Sequence, residues 1–174
     1  MIRIELPAWI DEVRDRDARY ESDDAKIAFV IELARRNVLE RTGGPFGAAV
    51  FPIGGNRPVG VGVNIVEALH NSVLHAETVA FMDAEAALAN HDLSGHELFA
   101  SVEPCAMCLG ATHWSGVERL VCAGAREDAQ AVGYDEGPVF RESYEYLEAR
   151  GLRVVRGVRR AESAEVLRLN AGHR

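Results

Sequence analysis

Glu97-Leu98-Phe99-Ala100-Ser101-Val102-Glu103-Pro104-Cys105-Ala106-Met107-Cys108-Leu109-Gly110-Ala111 decides how this chain is read. Glu97 to Val102 is a short, largely apolar run and reads as a strand. It leads directly into Pro104, a residue suited to the first turn of a helix. Cys105 and Cys108 stand three apart, so on a helix both thiols share one face. A helix N-terminus carries partial positive charge, which favours the thiolates that bind metal ions.

Upstream, His75-Ala76-Glu77 opens a second predicted helix. In mid-helix His75 and Glu77 would point to nearly opposite sides. They can address one ion together only at the helix entrance, where the chain is still turning in from a loop. His75 then binds the metal and Glu77 stays off it, free to meet a water molecule. Either motif alone is weak, since a lone histidine is usually a core or surface residue and Cys-x-x-Cys also serves as a redox pair or structural metal clip. Their conjunction, in this order and at two helix starts, points to one zinc ion per chain held by His75, Cys105 and Cys108. Three protein ligands leave a fourth tetrahedral position open to water, which is the mark of a catalytic rather than a structural site.

Working outward, residues 1–21 are charge-rich and weakly patterned and read as an N-terminal extension to a single domain over 22–174. Ser22 is a good N-cap, with Asp23 and Asp24 in the first turn of a helix. Ile27, Ile31, Ala34 and Val38 follow on one face, and Gly43-Gly44 ends the segment. Phe46–Ile53 and Val59–Val66 form a hairpin around Gly54–Pro58. A helix over 75–89 would turn Val79, Met82, Ala86 and Ala89 inward. After the cysteine helix come a strand over Arg119–Ala123, a short helix over Glu127–Val132 and a loop over Gly133–Pro138. A helix over Val139–Ala149 follows, with Tyr144 and Leu147 inward, then a strand over Leu152–Val158 and a last helix over Ala161–Asn170. Strands alternating with helices predict an α/β domain, a three-layer α/β/α sandwich on a central mixed sheet of about five strands.

The 174 residues carry a net charge of −8, and Lys26 is the only lysine. Neutralising phosphates supplies much of a nucleic-acid binder's affinity, so this balance argues against nucleic acid as substrate. The densest basic stretch, Arg153 to Arg160, alternates arginine with valine and reads as a strand with one wet face. No run approaches the roughly 18 apolar residues of a membrane helix, and the start lacks the pattern of a signal peptide. Two of the three cysteines belong to the metal motif and Cys122 has no obvious partner. A cytoplasmic protein is the expectation.

His-x-Glu followed by Pro-Cys-x-x-Cys is similar to the signature of the zinc deaminases. The chain resembles the cytidine deaminase-like superfamily from about Thr42 to Asn170. Gly44-Pro45-Phe46-Gly47-Ala48-Ala49-Val50 and the string from Glu103 to Ala111 resemble its purine-acting branch, which includes guanine deaminases and tRNA adenosine deaminases. His113-Trp114-Ser115-Gly116-Val117 and the stretch from Asp128 to Pro138 resemble bacterial guanine deaminases. The resemblance implies hydrolysis of guanine to xanthine and ammonia, with Glu77 as the proton shuttle. It implies that Asn64 hydrogen-bonds the purine, that the backbone at Ala76 helps hold the base and that Phe46 stacks on the ring. Glu103, Trp114 and Asp135 complete the expected substrate-binding set.

An acidic residue of the later loop is expected to close on the substrate as a second proton carrier; by position this is Glu136, with Asp135 as rival. Plainer readings stand beside these: Phe46 as core, Asn64 as a turn residue, Asp135–Pro138 as a solvated turn. A homodimer packed through the cysteine helix is implied as well. The chain departs from the family in having no aromatic residue after Tyr146 to serve a covering tail, in His113 beside Trp114, and in the bulky Val73-Leu74 before His75. An aminotriazine, a pterin, cytosine or a nucleoside would use the same chemistry, as would adenosine in tRNA. A zinc-stabilised interaction module is the non-enzymatic rival, and it would have no need of Glu77.

Overall fold

Elements of both kinds follow one another along the chain in a computed structural model that describes residues 4–14 and 17–171. They are α1 (Trp9–Arg14), α2 (Asp23–Leu39), β1 (Gly47–Pro52), β2 (Gly60–Val63), α3 (Val66–Leu69), α4 (Ala76–Leu88), β3 (His96–Val102), α5 (Ala106–Ser115), β4 (Arg119–Gly124), α6 (Arg126–Gln130), α7 (Arg141–Glu148), β5 (Arg153–Val155) and α8 (Arg160–Ala171). Ser22 caps α2 as expected, its hydroxyl accepting from the Ala25 N–H at 3.2 Å.

The five strands lie in the order β2-β1-β3-β4-β5. β1 is antiparallel to β2 and to β3, whereas β3, β4 and β5 run parallel. A parallel pair needs a crossover, and α5 links β3 to β4 while α6 and α7 link β4 to β5. Successive strand residues point to opposite faces. Ala49, Phe51, Phe99, Val121 and Ala123 therefore pack with Ile27, Val30 and Ile31 of α2 and Val166 of α8. Ala48, Val50, Leu98, Leu120 and Cys122 pack with Ala80 and Phe81 of α4, Leu109 of α5 and Tyr144 and Leu147 of α7. This is the predicted mixed-sheet sandwich. Cys122 forms no disulfide, and burial pushes its thiol far above the ordinary range.

Several local expectations are corrected. Residues 4–14 lie in the stretch read as an extension, yet Trp9, Ile10 and Val13 are buried in the main core. α2 stops at Leu39, four residues before Gly43, because Arg41 turns into the left-handed region at φ 56°. β2 ends at Val63, three residues short of the expected Val66, where the helical turn α3 begins. α4 does not bury Met82, Ala86 and Ala89, all of which are exposed. Ala76, Ala80 and Ala84 face the sheet instead. Gly60 and Gly62 of β2 make that possible: a Cβ on Gly62 would stand 2.1 Å from the Ala76 carbonyl oxygen, and one on Gly60 2.5 Å from that of Ala80. An alanine stripe on a glycine strand buries little apolar area per residue, so hydrophobic periodicity could not find it. Pro104 lies before the N-cap rather than in the first turn, since Cys105 is itself the N-cap of α5.

Candidate metal centre and active-site cleft

Both metal motifs begin at an N-cap. His75 caps α4 with an extended backbone (φ −72°, ψ 160°), and Cys105 caps α5 in the same way (φ −67°, ψ 174°). The carbonyl of each starts its helix, accepting from the Val79 and Leu109 N–H groups, both at 2.9 Å. Thr78 donates its hydroxyl to the carbonyls of Val73 and of His75, which pins the turn before the helix. Two helix N-termini thus converge, and their partial positive charge favours anionic ligands.

The ligand atoms of His75, Cys105 and Cys108 all lie within 4.8 Å of one another. Among the described residues they are the one such group of three. Cys105 Sγ is 3.5 Å from His75 Nδ1. A hydrogen bond from the Cys108 thiol, then His75, pulls the Cys105 thiol down to about 4. The same pairing and burial push Cys108 up, and its bond to Cys105 raises His75. One soft, already ionised sulfur, a second thiol and an imidazole at this spacing are the donor set of a tetrahedral zinc site with an open position.

Glu77 lies in the first turn of α4 and is only 8 % exposed. Burial raises its carboxyl above the usual range, and the Cys105 charge adds to the effect. Glu136 is 6 % exposed, and burial, followed by the charges of Cys105 and Glu77, brings it to about 7. His75, Cys105, Glu77 and Glu136 line one cleft of about 740 Å³ together with Phe46, Asn64, Glu103, Tyr134, Asp135 and Asn170.

The expected substrate contacts divide. Phe46 is half-buried and meets Tyr134 edge-on, with centroids 4.8 Å apart. Asn64 lines the cleft; its carbonyl accepts from Asn37 Nδ2 at 2.8 Å and from the Gly44 N–H at 3.2 Å. The Ala76 side chain is buried in the core with Ala48 and Val50 and does not line the cleft. Its N–H is the first of α4, a donor that no helical carbonyl takes. Glu103 is anchored from behind by Arg126 at 3.7 Å, Arg156 at 3.6 Å and the Tyr144 hydroxyl at 3.4 Å. Trp114 is not brought to the cleft: it is 81 % exposed, nine residues along α5 from Cys105, and a helix rises about 13 Å over that span.

Tyr134 and Asn170 were missed. Asn170 Nδ2 donates to the Tyr134 hydroxyl at 2.7 Å, joining the end of α8 to the loop that carries Glu136. Tyr134 had a signal, an aromatic residue beside two acidic ones in a Gly-bounded loop. Asn170 had none, because only the packing of α8 brings it here.

The cytidine and deoxycytidylate deaminase zinc-binding region matches residues 20–124. The chain belongs to this deaminase family. Zinc is accordingly the metal that His75, Cys105 and Cys108 are arranged to hold. The deaminase is 33 % identical over 112 residues to guanine deaminase of Bacillus subtilis, covering 64 % of this chain and 70 % of that one. It is similar to the solved guanine deaminase of Nitrosomonas europaea, with a TM-score of 0.93 and 37 % identity over 99 % of this chain and 97 % of the other. A variant of NE0047 solved with 8-azaguanine superposes with a TM-score of 0.95 at 37 % identity, over 100 % of this chain and 97 % of that one.

Proposed function

We propose that this deaminase hydrolyses guanine to xanthine and ammonia. The observation that carries the reading is the pair of buried carboxyls, Glu77 and Glu136, set at one three-ligand metal centre within a single cleft. Full-length similarity to a guanine deaminase that binds 8-azaguanine, a purine analogue, supports the choice of base.

A zinc ion held by His75, Cys105 and Cys108 supplies Lewis acidity that brings the pKa of water to about 7. Everything else falls to the chain. Phe46, braced edge-on by Tyr134, stacks on the ring, and Asn64 and the Ala76 N–H hold its polar edge. Glu77, off the metal, takes the proton from the attacking water and delivers it to the ring nitrogen beside the amine-bearing carbon. Glu136, poised near neutrality, gives a proton to the departing amine and recovers one from the new hydroxyl as it becomes the carbonyl. Water and guanine thus become xanthine and ammonia, and both carboxyls return to their starting state. The carboxylates of Glu103 and Asp135 in the same cleft suit a neutral base with N–H donors and repel a phosphodiester.

The surface charge supports the same choice over adenosine in tRNA. Lys26 is buried against Glu97 at 2.6 Å. Arg156 faces Glu103, Arg159 pairs with Asp24 and Arg160 with Asp128, so three of the four arginines in the most basic stretch are matched by carboxylates of the chain itself. Ammonia release from guanine, guanosine, adenine, cytosine, cytidine, ammeline and pterin by zinc-loaded protein tests the assignment: guanine should be turned over fastest, and a faster pterin or nucleoside would overturn it.

The homodimer and the cytoplasmic location belong to this proposal too. Trp114 of α5 and Tyr146 of α7, whose rings both meet that of His113, are exposed, as is Phe140 at the N-cap of α7, which suits burial against a second copy; sedimentation should give twice the chain mass. Among the described residues no helix is long and apolar enough to cross a membrane.

A further inference from the structure

We propose that Asp135 is a positioning residue for Glu136: its carboxylate fixes the turn that directs Glu136 into the cleft and carries no proton in the reaction. The inference rests on the reading of Glu136 as the second proton carrier. In three consecutive positions the chain goes from exposed (Asp135) to buried (Glu136) and back to exposed (Gly137). Two hydrogen bonds hold this knuckle. Asp135 Oδ1 accepts from the Gly137 N–H at 2.9 Å, closing a turn around Glu136. The Glu136 carbonyl accepts from the Ala106 N–H at 3.0 Å, docking the turn onto the start of α5, one residue after Cys105.

Each bond answers a local need. The first N–H groups of a helix have no helical acceptor, and Glu136 supplies one to Ala106. Gly137 sits at φ 66°, a conformation a glycine leaves readily because it is free to adopt many others. The docking bond fixes the carbonyl of Glu136. The Gly137 carbonyl accepts from the Val139 N–H at 2.9 Å, further along the loop, so the Asp135 carboxylate is what ties the Gly137 N–H back across Glu136. Removing that tie releases the turn and lets the Glu136 side chain swing toward water. A misplacement of about 1 Å at a catalytic group can cost on the order of a hundredfold in rate.

The role needs an acceptor oxygen at that position, and an asparagine supplies one without a charge. In zinc-loaded enzyme, Asp135→Ala should lower kcat for guanine by about tenfold or more, with a smaller change in KM. Zinc content and melting temperature should hold, and backbone hydrogen exchange over 133–138 should rise. Asp135→Asn should recover most of the lost kcat and restore the slow exchange. The proposal is overturned if the asparagine variant is as slow as the alanine variant, because charge or proton transfer would then be what Asp135 supplies. It is also overturned if the alanine variant keeps the full rate. Glu136→Gln, measured alongside, separates the two ideas: full activity there would remove the role of Glu136 itself, whatever Asp135 does.

Discussion

His75 and Cys105 stand thirty residues apart in the chain, yet Nδ1 of one lies 3.5 Å from Sγ of the other. Two helices that cap themselves with a ligand residue produce this approach. Substituting either residue removes a donor that nothing in the cleft replaces. His75→Ala or Cys105→Ala should therefore bring zinc from one per chain to near zero by elemental analysis. Metal binding to the folded form stabilises it by mass action, so the same variants and chelated wild type should melt below the zinc-loaded protein.

Glu77 lies outside the three-donor group of His75, Cys105 and Cys108, and its proposed part is to move a proton. Glu77→Gln keeps the shape of the side chain and removes its base. Turnover should fall by roughly a hundredfold to ten-thousandfold, the usual worth of a positioned acid–base group. Zinc should stay at one per chain. Steady-state kinetics with metal analysis on the same sample checks both halves.

Glu136 gives a pH-dependent stability of known sign. Its folded-state carboxyl sits at about 7 against an ordinary 4.5. Between those values the folded chain binds more protons than the unfolded one, so stability falls as pH rises through the window. In chelated protein, Glu136→Gln should therefore melt above wild type at pH 8. The difference should shrink toward zero below about pH 4.5, where the carboxyl is protonated in both states. Melting curves at pH 4, 6 and 8 read it directly.

Gly62 is a packing site with a functional consequence. A Cβ there would stand 2.1 Å from the Ala76 carbonyl oxygen and 2.4 Å from the Ala80 amide nitrogen, both backbone atoms. Gly62→Ala must push α4 off the sheet, and overpacking of this kind typically costs about 1–3 kcal/mol. Since α4 carries His75 and Glu77 at its entrance, kcat should fall as well. Urea unfolding and kinetics on the folded variant measure the two effects.

The sequence disclosed what is local. Spacing alone placed His75, Cys105 and Cys108 at helix entrances, because the chemistry and the cap geometry sit within a few residues of each other. The alternation of strands and helices was enough for the sandwich. Long-range placement was legible only where a resemblance supplied it. Nothing in the pair Asp135-Glu136 read as sequence says which of the two turns inward; the folded turn shows it, closed by Asp135 on Gly137 and docked on Ala106 with Glu136 buried between. Trp114 follows Cys108 closely in sequence, yet α5 carries it out to the surface. Asn170 reaches the cleft only because α8 packs across the sheet. The face of α4 was misjudged for another reason: apolar size marks a buried face only when the neighbouring strand is not itself made of glycine.

The central claim is that this cleft replaces the amine of guanine with oxygen from water. Guanine incubated with zinc-loaded enzyme in ¹⁸O-water should yield xanthine carrying a single heavy oxygen, with one ammonia released for each xanthine. Xanthine without the label, or guanine left intact while another amino-heterocycle is consumed, would contradict the account.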